Sequence, residues 1–272
     1  MADDPRGNAP RLDRHQRRAI LKDDAAWVGK PLKFGGDPRA IQANTRHLAL
    51  LLIDNPRKDR ASQFAAFAET LLDATVGHNV TGPVACARGC SHCCTTFVSA
   101  TAPEVLRLAR AVRGDAAKVA RVDAAGRDAQ SIPQAERERR RIVCPILENQ
   151  ACSAYASRPV VCRYVLSTSL PACVRIFTQN STEALPYPDG ATGLRSTVVV
   201  IMKAAMVLAG LSHQHIELHH ALATALAVED AEARWLAGEP VFEAVAVDQV
   251  DRESSHLKGL IDALVGAVRP TI

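Results

Sequence analysis

Eight cysteines lie between positions 86 and 173 of the 272-residue chain, and the rest of the sequence contains none. Thiols that served only as small hydrophobic side chains would be spread along the chain, so this clustering indicates shared chemistry: metal binding, disulfide bonding or redox reactions. The first four cysteines are close together and the other four are widely spaced. In chain order they are Cys86, Cys90, Cys93, Cys94, Cys144, Cys152, Cys162 and Cys173.

The first group has the spacing of a loop around one metal centre. Three residues separate Cys86 from Cys90 and two separate Cys90 from Cys93, and Gly89 frees the backbone for a sharp turn. Cys93 and Cys94 are adjacent, so either they serve two centres or one is a ligand and the other a nearby free thiol. The loop of radical S-adenosylmethionine enzymes has the same spacing, but the mostly helical sequence that follows does not favour their partial barrel.

The second group contains no Cys-x2-Cys pair, which argues against zinc ribbons, RING domains and treble-clef fingers. Pro145 follows Cys144, as a proline follows the last cysteine of some iron–sulfur ligand runs. Thiolate-rich sites carry negative charge. Four nearby arginines either offset that charge or point to solvent: Arg88, Arg158, Arg163 and Arg175.

The cysteine blocks resemble the CxxCxxCC cysteine-cluster (YkgJ-like) family of zinc- or iron-chelating proteins. The matching residues are Cys86, then Cys90-Ser-His-Cys-Cys94, then Cys-Pro-x-Leu from Cys144, Cys152-x-x-Tyr-x-x-Arg-Pro-x-x-Cys162-Arg, and Cys173. The resemblance covers residues 82–175, and the first gap is one residue longer than in the family. It implies a metal or iron–sulfur centre that involves eight cysteines. Flagellin lysine methylases are similar in their cysteine region and are linked to an iron–sulfur cluster.

Iron and zinc both accept four thiolates. The irregular gaps favour a 4Fe–4S type cluster wrapped by a long loop, and two zinc sites of four thiolates each are the alternative. We therefore expect a metal-binding protein with an iron–sulfur centre in a redox role or an unidentified enzymatic role. The alternative is a zinc-binding structural or adaptor protein. The sequence identifies no catalytic residue and leaves open whether the protein is an enzyme.

Histidines form a second candidate site. Ser212 is the expected N-cap of a helix on which His215 and His219 share a face and Glu217 and His220 form a Glu-x-x-His pair. An exposed polar helix face is the expected role of this segment, which carries His213, His215, His219 and His220. His92, between two cysteines, is expected not to be a ligand. The basic run 136–141 is expected to be a solvated helix face.

Composition limits the other function classes. The net charge of +4 and the pI of about 8.7 permit an acidic partner without requiring one. The N-terminus has no secretory signal, and the longest apolar run, 198–211, contains Lys203 and is too short to span a bilayer. We expect a cytoplasmic protein, and in that reducing compartment clustered cysteines are ligands more often than disulfides. A protein partner fits the sequence, whereas nucleic-acid binding is not favoured.

The expected fold is mainly α, with helical flanks around an irregular, metal-stabilised cysteine-rich centre that contains short β-hairpin elements. Helix starts are expected at Asp37-Pro38 and at Thr101, a hairpin across Glu148-Asn-Gln, β-like pieces at 142–147 and 160–164, and a helix over 213–227. The expected regions are a flexible tail (1–36), a helical flank (37–80), the cysteine-cluster metal-binding region (81–180), C-terminal helices (190–240), and a linker with a terminal amphipathic helix (241–272).

Overall fold

The computed structural model describes residues 13–33, 35–249 and 254–272. As the composition predicts, the described chain is mainly helical and its sheets are short. Its twelve α-helices are α1 (Arg14–Asp24), α2 (Pro38–Ile53), α3 (Arg60–Asn79), α4 (Ala102–Val112), α5 (Ala116–Ser131), α6 (Gln134–Arg140), α7 (Val160–Tyr164), α8 (Leu170–Thr178), α9 (Leu194–Leu208), α10 (Leu218–Ala227), α11 (Ala231–Leu236) and α12 (Ser255–Val268). The strands are β1 (Ser99–Thr101), β2 (Leu147–Glu148), β3 (Ala151–Cys152) and β4 (His215–Glu217). Short 3-10 helices cover His92–Thr95, Tyr155–Ser157 and Arg269–Thr271.

Two predicted helix starts are confirmed. Asp37 caps α2 by accepting a hydrogen bond from the Arg39 amide, and proline occupies the first helical position. Thr101 begins α4, where the Glu104 carboxylate accepts the Thr101 backbone N–H at 2.8 Å. The other Glu104 oxygen accepts the Val160 amide at 2.7 Å, so the same buried carboxylate also fixes the start of α7.

Most of the helices share one core, whereas the buried residues of α8 form a smaller, separate cluster. Helix α9 is buried along most of its length and packs against α2, α3 and α12, while α4 packs against α3 and α10. Helices α5 and α10 approach closely at Gly126, where an added Cβ would lie only 2.4 Å from the Cβ of Ala223. The cysteine-rich segment lies against this framework through contacts of α7 with α3 and α9.

One sheet lies within the cysteine-rich segment and the other lies next to it. Strands β2 and β3 form the predicted hairpin, with Leu147 opposite Cys152 and with Asn149 and Gln150 in left-handed conformations at the turn. Strand β1 pairs antiparallel with β4, with Ser99 opposite Glu217 and Thr101 opposite His215. This second pairing, which the sequence did not predict, brings the histidine-rich segment beside the first cysteine group.

Several expectations differ from the structure. Residues 160–164 form helix α7 rather than a β-like piece, because the Glu104 carboxylate accepts the Val160 amide, which a first helical turn leaves without a partner. Of 142–147, only Leu147 lies in a strand. The helix expected over 213–227 begins at Leu218 after strand β4, and Glu217, not Ser212, is its N-cap.

The N-terminal segment, expected to be flexible, contains α1 and is tied to the core. The Arg46 guanidinium donates to the carboxylate of Asp24 at 2.6 and 2.9 Å, and Leu32 is buried. The first twelve residues and Phe34 lie outside the described residues. In the described part of the chain, no helix is both long enough and apolar enough to cross a membrane.

Candidate metal centre

Short, irregular elements carry the cysteines of the first group. Gly89 has a φ of +95°, which confirms the sharp turn expected between Cys86 and Cys90. The Cys90 amide donates to the carbonyl of Ala87, and a 3-10 helix then carries Cys93 and Cys94. The chain therefore winds tightly through the first group.

Each cysteine of the second group belongs to a different element. Cys144 precedes the β2–β3 hairpin, Cys152 ends β3, Cys162 is in α7, and Cys173 is in α8. All eight cysteines are free thiols, and all are half-buried except Cys173, which is buried.

The two groups converge, as we expect of thiols that share one chemistry. The Cys144 amide donates to the carbonyl of Cys94 at 2.8 Å, and the Cys86 thiol contacts the carbonyl of Val165 at 3.4 Å. The Thr95 hydroxyl lies 3.3 Å from the carbonyl of Phe177 in α8. One backbone hydrogen bond and two side-chain contacts therefore fix the first loop against the second.

Six of the cysteines line one cavity of about 90 Å³. The six are Cys90, Cys93, Cys94, Cys144, Cys152 and Cys162. The rest of the wall is largely apolar and includes Val98, Leu108, Ile146 and Leu218. Its ionisable members other than the thiols are Tyr155, Arg158 and His219. Soft thiol donors in an apolar wall suit zinc or an iron–sulfur cluster and do not suit a hard cation such as Mg²⁺.

The thiols also divide into two neighbourhoods. Cys86 lies near Cys173, Cys93 and Cys90, whose charges would raise its pKa. Cys162 lies near Cys144, Cys93 and Cys152. Cys93 belongs to both neighbourhoods and hydrogen-bonds the adjacent Cys94 thiol, so the adjacent pair stands where the two neighbourhoods meet.

Burial disfavours the thiolate form of several of the cysteines. Burial raises the pKa of Cys144 to about 11 and raises the pKa of Cys86, Cys152 and Cys162. The hydrogen bond to Cys94, with burial second, raises the pKa of Cys93. A metal that binds thiolates must displace these protons, so metal binding releases protons and weakens in acid. In the described chain, no three His, Cys, Asp or Glu side chains are grouped closely enough to hold a single ion.

Of the four candidate arginines, Arg158 has the clearest effect on the thiols. Its positive charge opposes the rise in the pKa of three thiols, which the Cys94 hydrogen bond causes at Cys93 and burial causes at Cys152 and Cys162. The guanidinium lies 3.6 Å from the ring centroid of Tyr155 and also donates to the Tyr155 carbonyl at 3.2 Å. This stacking holds the cation at the cavity wall.

Arg163 fixes the loop between Cys152 and Cys162. Its Nε donates to the carbonyl of Arg158 at 2.8 Å, and its Nη2 donates to the carbonyl of Ala156 at 2.6 Å and to the carboxylate of Glu69 at 2.9 Å. Glu69 is 2% exposed and also binds Arg107 at 3.0 Å. Arg163 thus joins the cysteine loop to α3.

The remaining two arginines do not line the cysteine cavity. Arg88 lies 5.7 Å from the Tyr155 ring centroid, and Arg175 forms an exposed pair with Glu183 at 2.7 Å. The solvent-facing alternative therefore holds for Arg175.

A buried charged cluster, which the sequence did not predict, lies behind the cavity. Arg137 in α6 is 3% exposed, and its Nη2 lies 2.8 Å from the Glu217 carboxylate and 3.0 Å from Nδ1 of His219. Glu217 is 4% exposed and His219 is 3% exposed. The expectations of a solvated basic run and an exposed histidine face are therefore wrong at these positions, because the partners lie about eighty residues apart and no local pattern reveals them.

The predicted histidine pair does not form. His215 lies in β4 and His219 in α10, so the two do not share one helix face. The neighbouring His220 contacts the side chain of Gln130 at 2.8 Å. Of the four histidines in this segment, His219 lines the cysteine cavity. His92 lies in the 3-10 helix and is half-buried.

Comparison with known proteins agrees with the sequence motifs. Neither a curated protein nor a solved structure is significantly similar to the chain. Residues 85–186, which include all eight cysteines and cover under half of the chain, match the model of the CxxCxxCC family. That model is described as "Putative zinc- or iron-chelating domain", so the match supports metal binding by this region. The resemblance to the CxxCxxCC family is thereby confirmed for the cysteine-rich segment, residues 85–186.

Proposed function

We propose that the cysteine cluster holds an iron–sulfur centre of the 4Fe–4S type, bound by four of the six thiols that line the cavity. The centre acts in electron transfer or in an enzymatic reaction still to be identified. The observation that carries this proposal is the cavity of about 90 Å³ lined by six thiols from both cysteine groups. Thiols spread around a cavity wall suit a centre of several metal atoms, because each thiolate then binds a different iron. A single zinc ion needs its sulfurs about 2.3 Å from one point.

The surroundings of the thiols support a redox role. Val98, Leu108 and Ile146 line the cavity and exclude water, and the guanidinium of Arg158 lies where it offsets part of the thiolate charge. Such a cluster supplies one-electron transfer, and its potential depends on net charge, on hydrogen bonds to sulfur and on solvent exposure. The chain itself provides the ligands, the dry wall and the compensating cation.

The test is purification without oxygen, followed by optical spectroscopy. We expect a brown protein that dithionite reduces and air bleaches, and a Cys162→Ser variant that loses the colour. A colourless wild-type protein that still binds metal would contradict the iron–sulfur proposal.

The second candidate is a zinc-binding structural or adaptor protein with two four-thiolate sites. The two thiol neighbourhoods favour it: Cys86, Cys90, Cys93 and Cys173 would form one site. Cys144, Cys152 and Cys162 would form the other, with Cys94, whose carbonyl accepts the Cys144 amide, as the fourth ligand. The adjacent Cys93 and Cys94 would then each bind a different zinc ion. In this case the metal stabilises the fold, and the helical flanks are free to bind a protein partner.

Single substitutions separate one centre from two. With two independent zinc sites, Cys173→Ala and Cys152→Ala each remove about one of two ions, and the double variant removes both. With one cluster in the cavity, Cys152→Ala reduces the metal content far more than Cys173→Ala, because Cys173 does not line the cavity.

A further inference from the structure

The proposed centre leaves one feature of its cavity unexplained: a buried histidine that a buried arginine holds in place. His219, in the first turn of α10, lines the cavity together with the thiols, and Arg137 lies behind it. Both side chains are buried. Burial of a charged guanidinium is costly unless the cation is paired, so this arrangement needs a physical reason.

Contacts of Arg137 determine which nitrogen of His219 carries the proton. Its Nη2 lies 3.0 Å from Nδ1 of His219. A guanidinium can only donate hydrogen bonds, so Nδ1 must be the acceptor. The cation also disfavours a second positive charge on the imidazole. The neutral ring therefore carries its proton on Nε2.

Glu217 keeps both partners in this geometry. One carboxylate oxygen accepts from Arg137 at 2.8 Å and from the His219 amide at 3.1 Å, and the other accepts from the His220 amide at 2.7 Å. The same carboxylate thus caps α10 and pairs with the arginine. The orientation of the imidazole is fixed from two sides.

At the opposite edge of the ring, Nε2 has no hydrogen-bond partner among the described contacts, although the ring lines the cavity. Arg137 also has two buried N–H groups, Nε and Nη1, without a partner among the described residues. The site therefore presents unused donors beside a cavity lined with sulfur.

We propose that His219 donates its Nε2–H to a sulfur of the centre held in the cavity, and that Arg137 is the positioning residue that fixes this tautomer. The inference rests on the proposed metal centre and adds a residue that tunes it. His219 is then a hydrogen-bond donor and not a ligand, because ligation through Nε2 would need a proton on Nδ1, where Arg137 donates. A donor to sulfur stabilises the reduced, more negative state of a cluster.

The experiment compares three variants of the full chain purified without oxygen. His219→Leu removes the donor, His219→Gln keeps an amide N–H at the same distance along the side chain, and His220→Leu is the matched control, since His220 does not line the cavity. At a fixed solution potential, we expect the ratio of reduced to oxidised centre to fall about tenfold in His219→Leu, which corresponds to about 59 mV for one electron. His219→Gln should restore most of the ratio, and His220→Leu should match the wild type.

Two outcomes would overturn the inference about His219 and leave the proposed iron–sulfur centre unaffected. A His219→Leu protein with a full cluster and an unchanged ratio excludes the hydrogen bond. Loss of metal from both His219 variants, with the fold retained, makes His219 a ligand instead.

A wild-type protein that holds zinc contradicts the proposed cluster, and the inference is then tested by nitrogen NMR. The zinc-bound protein should show neutral His219 with its proton on Nε2, and this preference should weaken in Arg137→Met. A proton on Nδ1 in the wild type would overturn the inference.

Discussion

Replacement of Arg163 by methionine should loosen the cysteine loop and destabilise the whole protein. Methionine keeps much of the aliphatic stem but removes a guanidinium whose contacts join the loop to α3. The Arg163 guanidinium donates to the Glu69 carboxylate at 2.9 Å and to the carbonyls of Ala156 and Arg158 at 2.6 and 2.8 Å. It also pairs with the Asp73 carboxylate at 2.5 Å, but Asp73 is exposed, so this pair adds little. The arginine side chain is only 9% exposed, so solvent does not replace these contacts fully.

The size of the effect follows from what remains after the substitution. Removal of one partner of a buried ion pair costs about 3–5 kcal/mol, but Arg107 still pairs with Glu69 at 3.0 Å, so this loss is reduced to about 1–2 kcal/mol. Each carbonyl that loses its donor adds about 1 kcal/mol, less where water reaches it. We expect a loss of about 3 kcal/mol in the free energy of unfolding. At about 2–4 °C per kcal/mol, this lowers Tm by about 6–12 °C.

Thermal unfolding followed by circular dichroism measures this shift, and Arg175→Met is the matched control. Arg175 also follows a cysteine closely, but its pair with Glu183 is exposed, so Tm should hardly change. Arg163→Met should also bind less metal, because the loop carries both Arg158 and Cys162. Equal melting temperatures for the two methionine variants would refute the reasoning.

Three further changes test other parts of the structure. Cys162→Ser should lower metal content and Tm together, because metal-binding energy is also folding energy, and elemental analysis beside a melting curve measures both. Gly126→Ala should destabilise by about 1–3 kcal/mol in urea unfolding because its Cβ would press on α10, whereas Gly77→Ala, with open space around it, should be neutral or stabilising. Burial lowers the pKa of His219 to about 3. Below about pH 6.5 the imidazole is therefore protonated in the unfolded chain but stays neutral in the folded protein. The free energy of unfolding should therefore decrease by about 2 kcal/mol from this group as the pH falls from 6.5 to 5. Urea unfolding measured at both pH values should not show this decrease in His219→Gln.

Local signals predicted the parts of the fold that depend on local chemistry. The Asp37 cap, the Thr101 capping box and the turn at Asn149 each reflect contacts within a few residues, and all are found in the structure. Residues 160–164 are mostly apolar and partly β-branched, which suits a strand, yet the Glu104 carboxylate fixes them as a helix.

For the candidate site, the sequence predicted the cysteines but not the residues that surround them. Cysteine spacing and motif were enough to expect that the two groups meet. Nothing local indicated that β1 pairs with β4, and this pairing brings the histidine segment to the cavity. Arg137 looked like one of several surface arginines, because its partner Glu217 lies far along the chain. Sequence patterns thus identify the candidate ligands, whereas the residues around them depend on long-range packing.

Determination of iron, acid-labile sulfide and zinc in the protein purified without oxygen tests the central claim most directly. One 4Fe–4S centre held by the cysteine cavity predicts about four iron and about four sulfide per chain, with little zinc. About two zinc ions per chain and no sulfide would contradict the iron–sulfur account and favour the two-site zinc protein. A metal-free protein without titratable thiols would contradict both.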